Sequence, residues 1–187
     1  SRILKEVDRL AAFIKTFSNF AHPSLKQPAA CRIDRVLKDV LFLVRKEAMK
    51  QGIIIDEIIE NDIPVQINPQ EMQQVFMNLL LNAIQSMSEG GKIRIAVGYN
   101  GLRSSGAEIG GCEPVSGLGL AQGFVKISIS DTGCGIPQEQ TDKIFNPFFT
   151  TKPNGTGLGL SIVHKIINEC NGKIVVSSAV GKGTTFD

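Results

Sequence analysis

The chain has 187 residues, 42% of them apolar, and a formal net charge of +2. This is enough for one good-sized folded domain plus an appendage, and it argues against global disorder. The near-balanced charge leaves no footprint for nucleic acid, so no such partner is expected, and no apolar run approaches the roughly 20 residues of a membrane helix.

The four cysteines, Cys31, Cys112, Cys134 and Cys170, form no CxxC pair, and the two histidines, His22 and His164, are distant from them in sequence. A zinc site is therefore not expected. Scattered thiols of this kind fit a reduced, cytoplasmic compartment. The chain starts at Ser1 and stops at Phe186-Asp187 inside a strand-like stretch. It reads as a piece of a longer protein, which leaves open whether that protein is tied to a membrane.

Residues 1–21 read as one helix. Ile3, Val7, Leu10, Ile14 and Phe17 alternate steps of four and three, and Phe13 and Phe20 widen the stripe. Such a seam either packs on the core of its own domain or pairs in a bundle with another chain. His22-Pro23 ends it, because the residue before proline is pushed out of the helical region. A linker with two prolines, 23–32, precedes a second amphipathic helix at about 34–51, stopped by Gly52.

Ile53–Glu60 is β-branched and strand-like, and Val65–Asn68 is a short strand. A long helix is expected from Pro69 to Met87, with proline suited to the first turn. A turn at 89–91 leads to a strand at Lys92–Tyr99. Residues 100–122, rich in Gly and Ser, read as a long loop between strands. Phe124–Ser130 is the next strand, followed by a Gly-rich turn (131–137), an irregular stretch (138–156) and a helix at about 157–170. A closing hairpin uses Lys173–Ser178 and Thr184–Phe186. This order predicts an α+β fold, a two-layer α/β sandwich whose mixed sheet is covered by helices on one face.

Three segments carry chemistry. On the 69–87 helix, Glu71, Gln74, Asn78, Asn82 and Gln85 form one polar stripe among Val75, Phe76, Leu79, Leu80, Ala83 and Ile84. Asn costs about 0.6 kcal/mol against Ala inside a helix, so two on one face ask for a reason. A carboxamide oxygen is a hard, neutral ligand suited to magnesium; a solvated face would look the same. Asp131-Thr132-Gly133-Cys134-Gly135-Ile136-Pro137 follows a strand directly. Its carboxylate can accept from an amine such as that of adenine, its glycines permit close approach of a flat ligand, and Ile136 offers an apolar wall. A tight turn alone would also use Asp and Gly.

Gly155-Thr156-Gly157-Leu158-Gly159-Leu160-Ser161 opens a helix, where bare N–H groups and the helix dipole can hold phosphate. It is neither a Rossmann fingerprint nor a Walker loop. Gly117-Leu118-Gly119-Leu120 mimics it, but no helix pattern follows and no site is assigned there. Between these segments, Phe145, Phe148 and Phe149 could pin a lid, with Lys152 reaching toward phosphate.

In order and spacing, these pieces resemble the sensor histidine kinases. Asn78-Leu79-Leu80-Leu81-Asn82-Ala83 is similar to the N box, Asp131–Pro137 to the G1 box, Ile144–Lys152 to the F box and Gly155–Leu160 to the G2 box. Pro147-Phe148-Phe149-Thr150-Thr151-Lys152, with Ser161-Ile162-Val163-His164, most resembles the nitrogen-regulation type. The resemblance implies the Bergerat-type ATP-binding fold shared with gyrase, heat-shock chaperones and mismatch-repair ATPases, spanning 23–187, with an ATP lid at about 138–156. Residues 1–22 would be the end of a dimerisation helix.

It further implies ATP and Mg2+ as cofactors, with Asn82 the metal ligand and Asn78 beside the phosphates. Asp131 would bind the adenine amine, Gly135 and Ile136 would line the base, and Gly133 would belong to the same nucleotide site. The backbone of Gly157, Leu158 and Gly159 would meet the phosphates, Lys152, Gly155, Thr156 and Leu160 would belong to the same nucleotide site, and Thr184 would join the adenine pocket through water. The parent would be a homodimer that passes phosphate to a response-regulator receiver domain.

Gyrase-like ATPases carry a water-activating Glu four residues before the metal Asn. Asn78 stands there, and it cannot act as a general base, which favours transfer to a side chain over hydrolysis. Gln85 and Ser86 replace a basic and an aromatic residue often found after the N box. Neither His22 nor His164 is in the context of the phosphate acceptor, so the acceptor histidine is expected outside this chain. Two rival readings are a serine kinase or switch of the same superfamily and a binding module without nucleotide.

Overall fold

The computed structural model describes residues 30–60, 63–101, 123–152 and 155–187. The expected helix at 1–21, its seam, His22 and the segment 102–122 lie outside the described residues. In chain order the elements are β1 (Ala30–Arg32), α1 (Ile33–Lys50), β2 (Ile53–Ile59), β3 (Pro64–Gln66), α2 (Pro69–Gln85), β4 (Gly91–Gly101), β5 (Gly123–Asp131), α3 (Gln138–Thr141), α4 (Gly159–Glu169), β6 (Val176–Ala179) and β7 (Gly183–Phe186).

Five strands form a mixed sheet in the order β2-β4-β5-β7-β6. Only β2 and β4 run parallel, with Ile55 opposite Ile93; the other neighbours are antiparallel. Their parallel pairing requires a crossover, and α2 lies in that connection. Inward residues alternate along the strands: Ile93, Ile95 and Val97 on β4 and Ile129 on β5 are buried. Against them lie α1, α2 and α4, with α2 in contact with both of the others. Phe76 and Leu80 of α2 are fully buried in that core. The outer face of the sheet instead exposes Ile54 and Ile58.

Local sequence explains the helix ends. Asn68 caps α2 by accepting from the Gln70 N–H at 3.0 Å, and Pro69 takes the first turn, where no amide donor is needed. Gly52, at φ +69°, follows the last turn of α1.

Several boundaries shift. The long helix ends at Gln85 and the last helix begins at Gly159, each two residues inside expectation. Residues 30–32, read as linker, form β1 instead. Cys31 pairs with Val65, giving a separate two-stranded ribbon with β3. The ribbon is fastened to α1: Ile33 N–H donates to the Ile63 carbonyl at 3.1 Å, and Ile63 N–H to the buried Asp34 carboxylate at 3.3 Å. The stretch expected to be irregular contains the single turn α3. The closing hairpin starts at Val176, although Val175 and Asp187 still exchange two backbone bonds.

Candidate functional site

Asp131 ends β5, the middle strand of the sheet, with Ile93 and Thr184 as its partners on either side. It is buried, and its Oδ1 accepts from the Gly133 N–H at 2.8 Å and the Ser86 hydroxyl at 3.2 Å. Burial pushes the carboxyl above its ordinary 3.8. The Gly133 N–H, the Ser86 hydroxyl, the Thr184 backbone and the Lys152 ammonium pull it down by less. Ser86, noted in the sequence only as the replacement for an aromatic residue, is therefore a partner of Asp131 that sequence reasoning did not foresee. It stands one residue beyond α2 and meets Asp131 only because the chain returns 45 residues later.

The turn after Asp131 leans on the far hairpin. Gly135 has φ +71°, and a methyl there would strike the Ala179 carbonyl oxygen, so this position needs glycine. The Gly181 N–H donates to the Cys134 carbonyl at 2.8 Å, and the Ile136 N–H to Ser178 Oγ at 2.8 Å. Ser178 Oγ also lies 2.8 Å from Thr184 Oγ1. Thr184 thus belongs to this cluster through a direct hydroxyl contact with Ser178, which no local pattern announced.

Asn78 and Asn82 sit half-buried on α2, facing the start of α4. A methyl placed on Gly159 would lie 3.6 Å from Asn78 Oδ1 and 4.0 Å from Asn82 Nδ2. Asn78 Nδ2 is buried without a hydrogen-bond partner. No side chain caps the first turn of α4. Its free N–H groups and dipole therefore favour an anion beside the two carboxamides.

Leu158 is fully buried, and its N–H donates to Thr156 Oγ1 at 3.4 Å. Leu160 packs on the core from the first turn of α4. Gly157, at φ +67°, admits the backbone of Phe148, where a methyl would collide. Gly155 sits against Thr150, further from the carboxamides, and Thr156 is exposed.

Lys152 closes the site. Its Nζ donates to Asn82 Oδ1 at 2.9 Å and to Gln85 Oε1 at 2.7 Å. Burial lowers its pKa, while Cys134 and Asp131 raise it by less. For Lys152 and Asp131 alike, burial penalises the charged form more than the opposite charge repays. Of the three phenylalanines, two pin the segment. The Phe145 ring lies 5.2 Å from that of His164, and Phe149 packs on the core, whereas Phe148 is exposed. Among the described residues, no cluster of three His, Cys, Asp or Glu could hold a metal ion.

Residues 67–187 match the family described as histidine kinase-, DNA gyrase B- and HSP90-like ATPase. The chain belongs to that family. Its relatives within this ATPase family include the sensor histidine kinase ZraS of Escherichia coli strain K12, 35% identical over 183 residues. That match covers 97% of this chain and 35% of ZraS, so the chain spans about a third of that relative's length. Among solved structures, the nucleotide-free catalytic domain of histidine kinase ThkA is similar with a TM-score of 0.66 and 30% identity, covering 86% of this chain and 93% of that one. ThkA in complex with the response regulator protein TrrA gives 0.70 and 26%, covering 98% and 47%. The two-layer sandwich expected from sequence is the fold these ATPase domains have. No described helix is long and apolar enough to cross a membrane.

Proposed function

We propose that this chain is the catalytic core of a sensor histidine kinase. It binds Mg-ATP and delivers the γ-phosphoryl group to a histidine outside these 187 residues, for relay to a response-regulator aspartate. The observation that carries the reading is the convergence of Asn78 and Asn82 on the uncapped start of α4, with the buried Asp131 at the end of the central strand. The orphaned Asn78 Nδ2 is a donor free for a phosphate oxygen, and the Asn82 oxygen, which already accepts from an ammonium, fits the cation that such a phosphate carries.

Bound Mg-ATP supplies the phosphoryl group. Asp131 accepts the adenine amine, while Gly133, Gly135 and Ile136 line the base and Thr184 supports it through water. Asn82 holds magnesium, and Asn78 lies beside the phosphates. Lys152 and the stretch Gly155, Thr156, Gly157, Leu158, Gly159 and Leu160 meet the phosphates. This division of labour suits phosphoryl transfer, where positioning and charge stabilisation do most of the work. Asn78 occupies the position of a hydrolytic base and cannot abstract a proton.

The reading divides the chain into a dimerisation-helix end at 1–22 and a catalytic domain at 23–187, with a lid at about 138–156. It makes the parent a homodimer and sets this domain in the cytoplasm. The complex of ThkA with TrrA supports a response-regulator partner. Calorimetric titration of the chain with ATP in the presence of magnesium tests the reading: saturable binding is expected, and a folded chain that takes up no ATP would refute it.

A further inference from the structure

The carboxamide stripe of α2 is neutral, and the last turn of α2 carries no basic residue. A triphosphate placed between that stripe and α4 meets the partial charge of one helix N-terminus, about half an elementary charge. The full positive charge comes from the opposite wall. Lys152 reaches 70 residues back along the sequence to Asn82 and 67 back to Gln85. An ammonium has three donors. The two carboxamide oxygens take two of them and fix a long side chain that is otherwise free to turn among its rotamers.

We infer that Lys152 is the residue that selects for the outer phosphates of the nucleotide, and that Gln85 is its positioning residue, replacing on α2 a fixed positive charge with a holder for a borrowed one. The inference rests on the nucleotide reading above and deepens it. Asn82 Oδ1 cannot fully serve Lys152 and a ligand cation together. When Lys152 yields that oxygen, Gln85 keeps its Nζ beside the phosphates. A simple tether, by contrast, would have Lys152 hold the lid segment to α2 without regard to how many phosphates the ligand carries.

The test is calorimetric titration of AMP, ADP and ATP, at fixed magnesium, into the wild-type chain, Lys152→Met, Gln85→Ala and the double variant Lys152→Met/Gln85→Lys. Lys152→Met should weaken ATP about ten- to hundredfold, the range for losing one hydrogen bond to a charged group. ADP should weaken less, and AMP hardly at all. Gln85→Ala should weaken ATP by a smaller factor in the same order. The double variant should recover most of the ATP-over-ADP preference, because the charge has moved onto α2. Equal weakening of all three ligands by Lys152→Met, no weakening at all, or no recovery in the double variant would overturn the inference. Wild-type chain that binds none of the three would instead overturn the nucleotide reading, and the inference with it.

Discussion

Replacing Asp131 by Asn tests the base pocket with almost no change in volume. Oδ1 keeps its two protein donors, the Gly133 N–H at 2.8 Å and the Ser86 hydroxyl at 3.2 Å. In the proposed pose the other oxygen becomes an amino group opposite the exocyclic amine of adenine, donor to donor. The change removes one charge-assisted hydrogen bond and leaves an unmatched buried donor. Together these cost about 2–4 kcal/mol of affinity, roughly thirty- to several-hundredfold.

The same geometry predicts a switch. Inosine triphosphate carries a carbonyl where ATP carries the amine, so the wild-type carboxylate should reject it and the Asn variant should accept it better. The assay is calorimetric titration of both triphosphates into both proteins. Equal losses for ATP and inosine triphosphate, in a variant that still unfolds cooperatively, would refute the assignment of Asp131 to the base.

Asp131 also sets a pH dependence. Its folded pKa is raised by burial, so the native state holds this proton more tightly than the unfolded chain. Stability from this group is greatest below the unfolded value and declines as pH rises through the window up to the folded one. Urea denaturation should therefore show Asp131→Asn gaining on wild type as pH climbs through that window; a gain that runs the other way would contradict the burial argument.

Asn82→Ala should weaken Mg-ATP and blunt the response to EDTA, whereas an unchanged magnesium dependence would remove Asn82 from the metal. Gly157→Ala should cost about 1–2 kcal/mol for the left-handed backbone alone. It should also dislodge Phe148, seen as a lower Tm and weaker ATP binding; a variant normal in both would refute the fit. Phe76→Ala should cost about 3–5 kcal/mol in urea denaturation, and a loss below about 1 kcal/mol would mean that the helix layer is looser than its burial implies.

Periodic elements were legible in the sequence. The amphipathic pattern at 34–51 located α1 to within a residue at each end, because a repeating apolar face is a local signal. The strand at Ala30–Arg32 was not legible: three residues carry no period, and its partner lies more than thirty residues away. The same division runs through the site. Asp131, Asn78, Asn82 and the glycines stood out by type and spacing. Ser86 and Ser178 did not, since a serine near a helix end or in a strand is ordinary until the fold brings it to Asp131 or Thr184. Lys152 was expected to reach toward phosphate, but its hold on Asn82 and Gln85 is a long-range contact that spacing alone does not encode.

The central claim is that this chain positions a phosphoryl group for a protein acceptor, with Asn78, which cannot take a proton, where a hydrolytic ATPase has its base. The direct measurement follows radiolabelled γ-phosphate from Mg-ATP, first with the chain alone and then with a histidine-bearing helical segment of the parent supplied in trans. The account predicts negligible phosphate release by the chain alone, and acid-labile label on the added segment. Steady phosphate release by the chain alone, with no label on the acceptor, would contradict it.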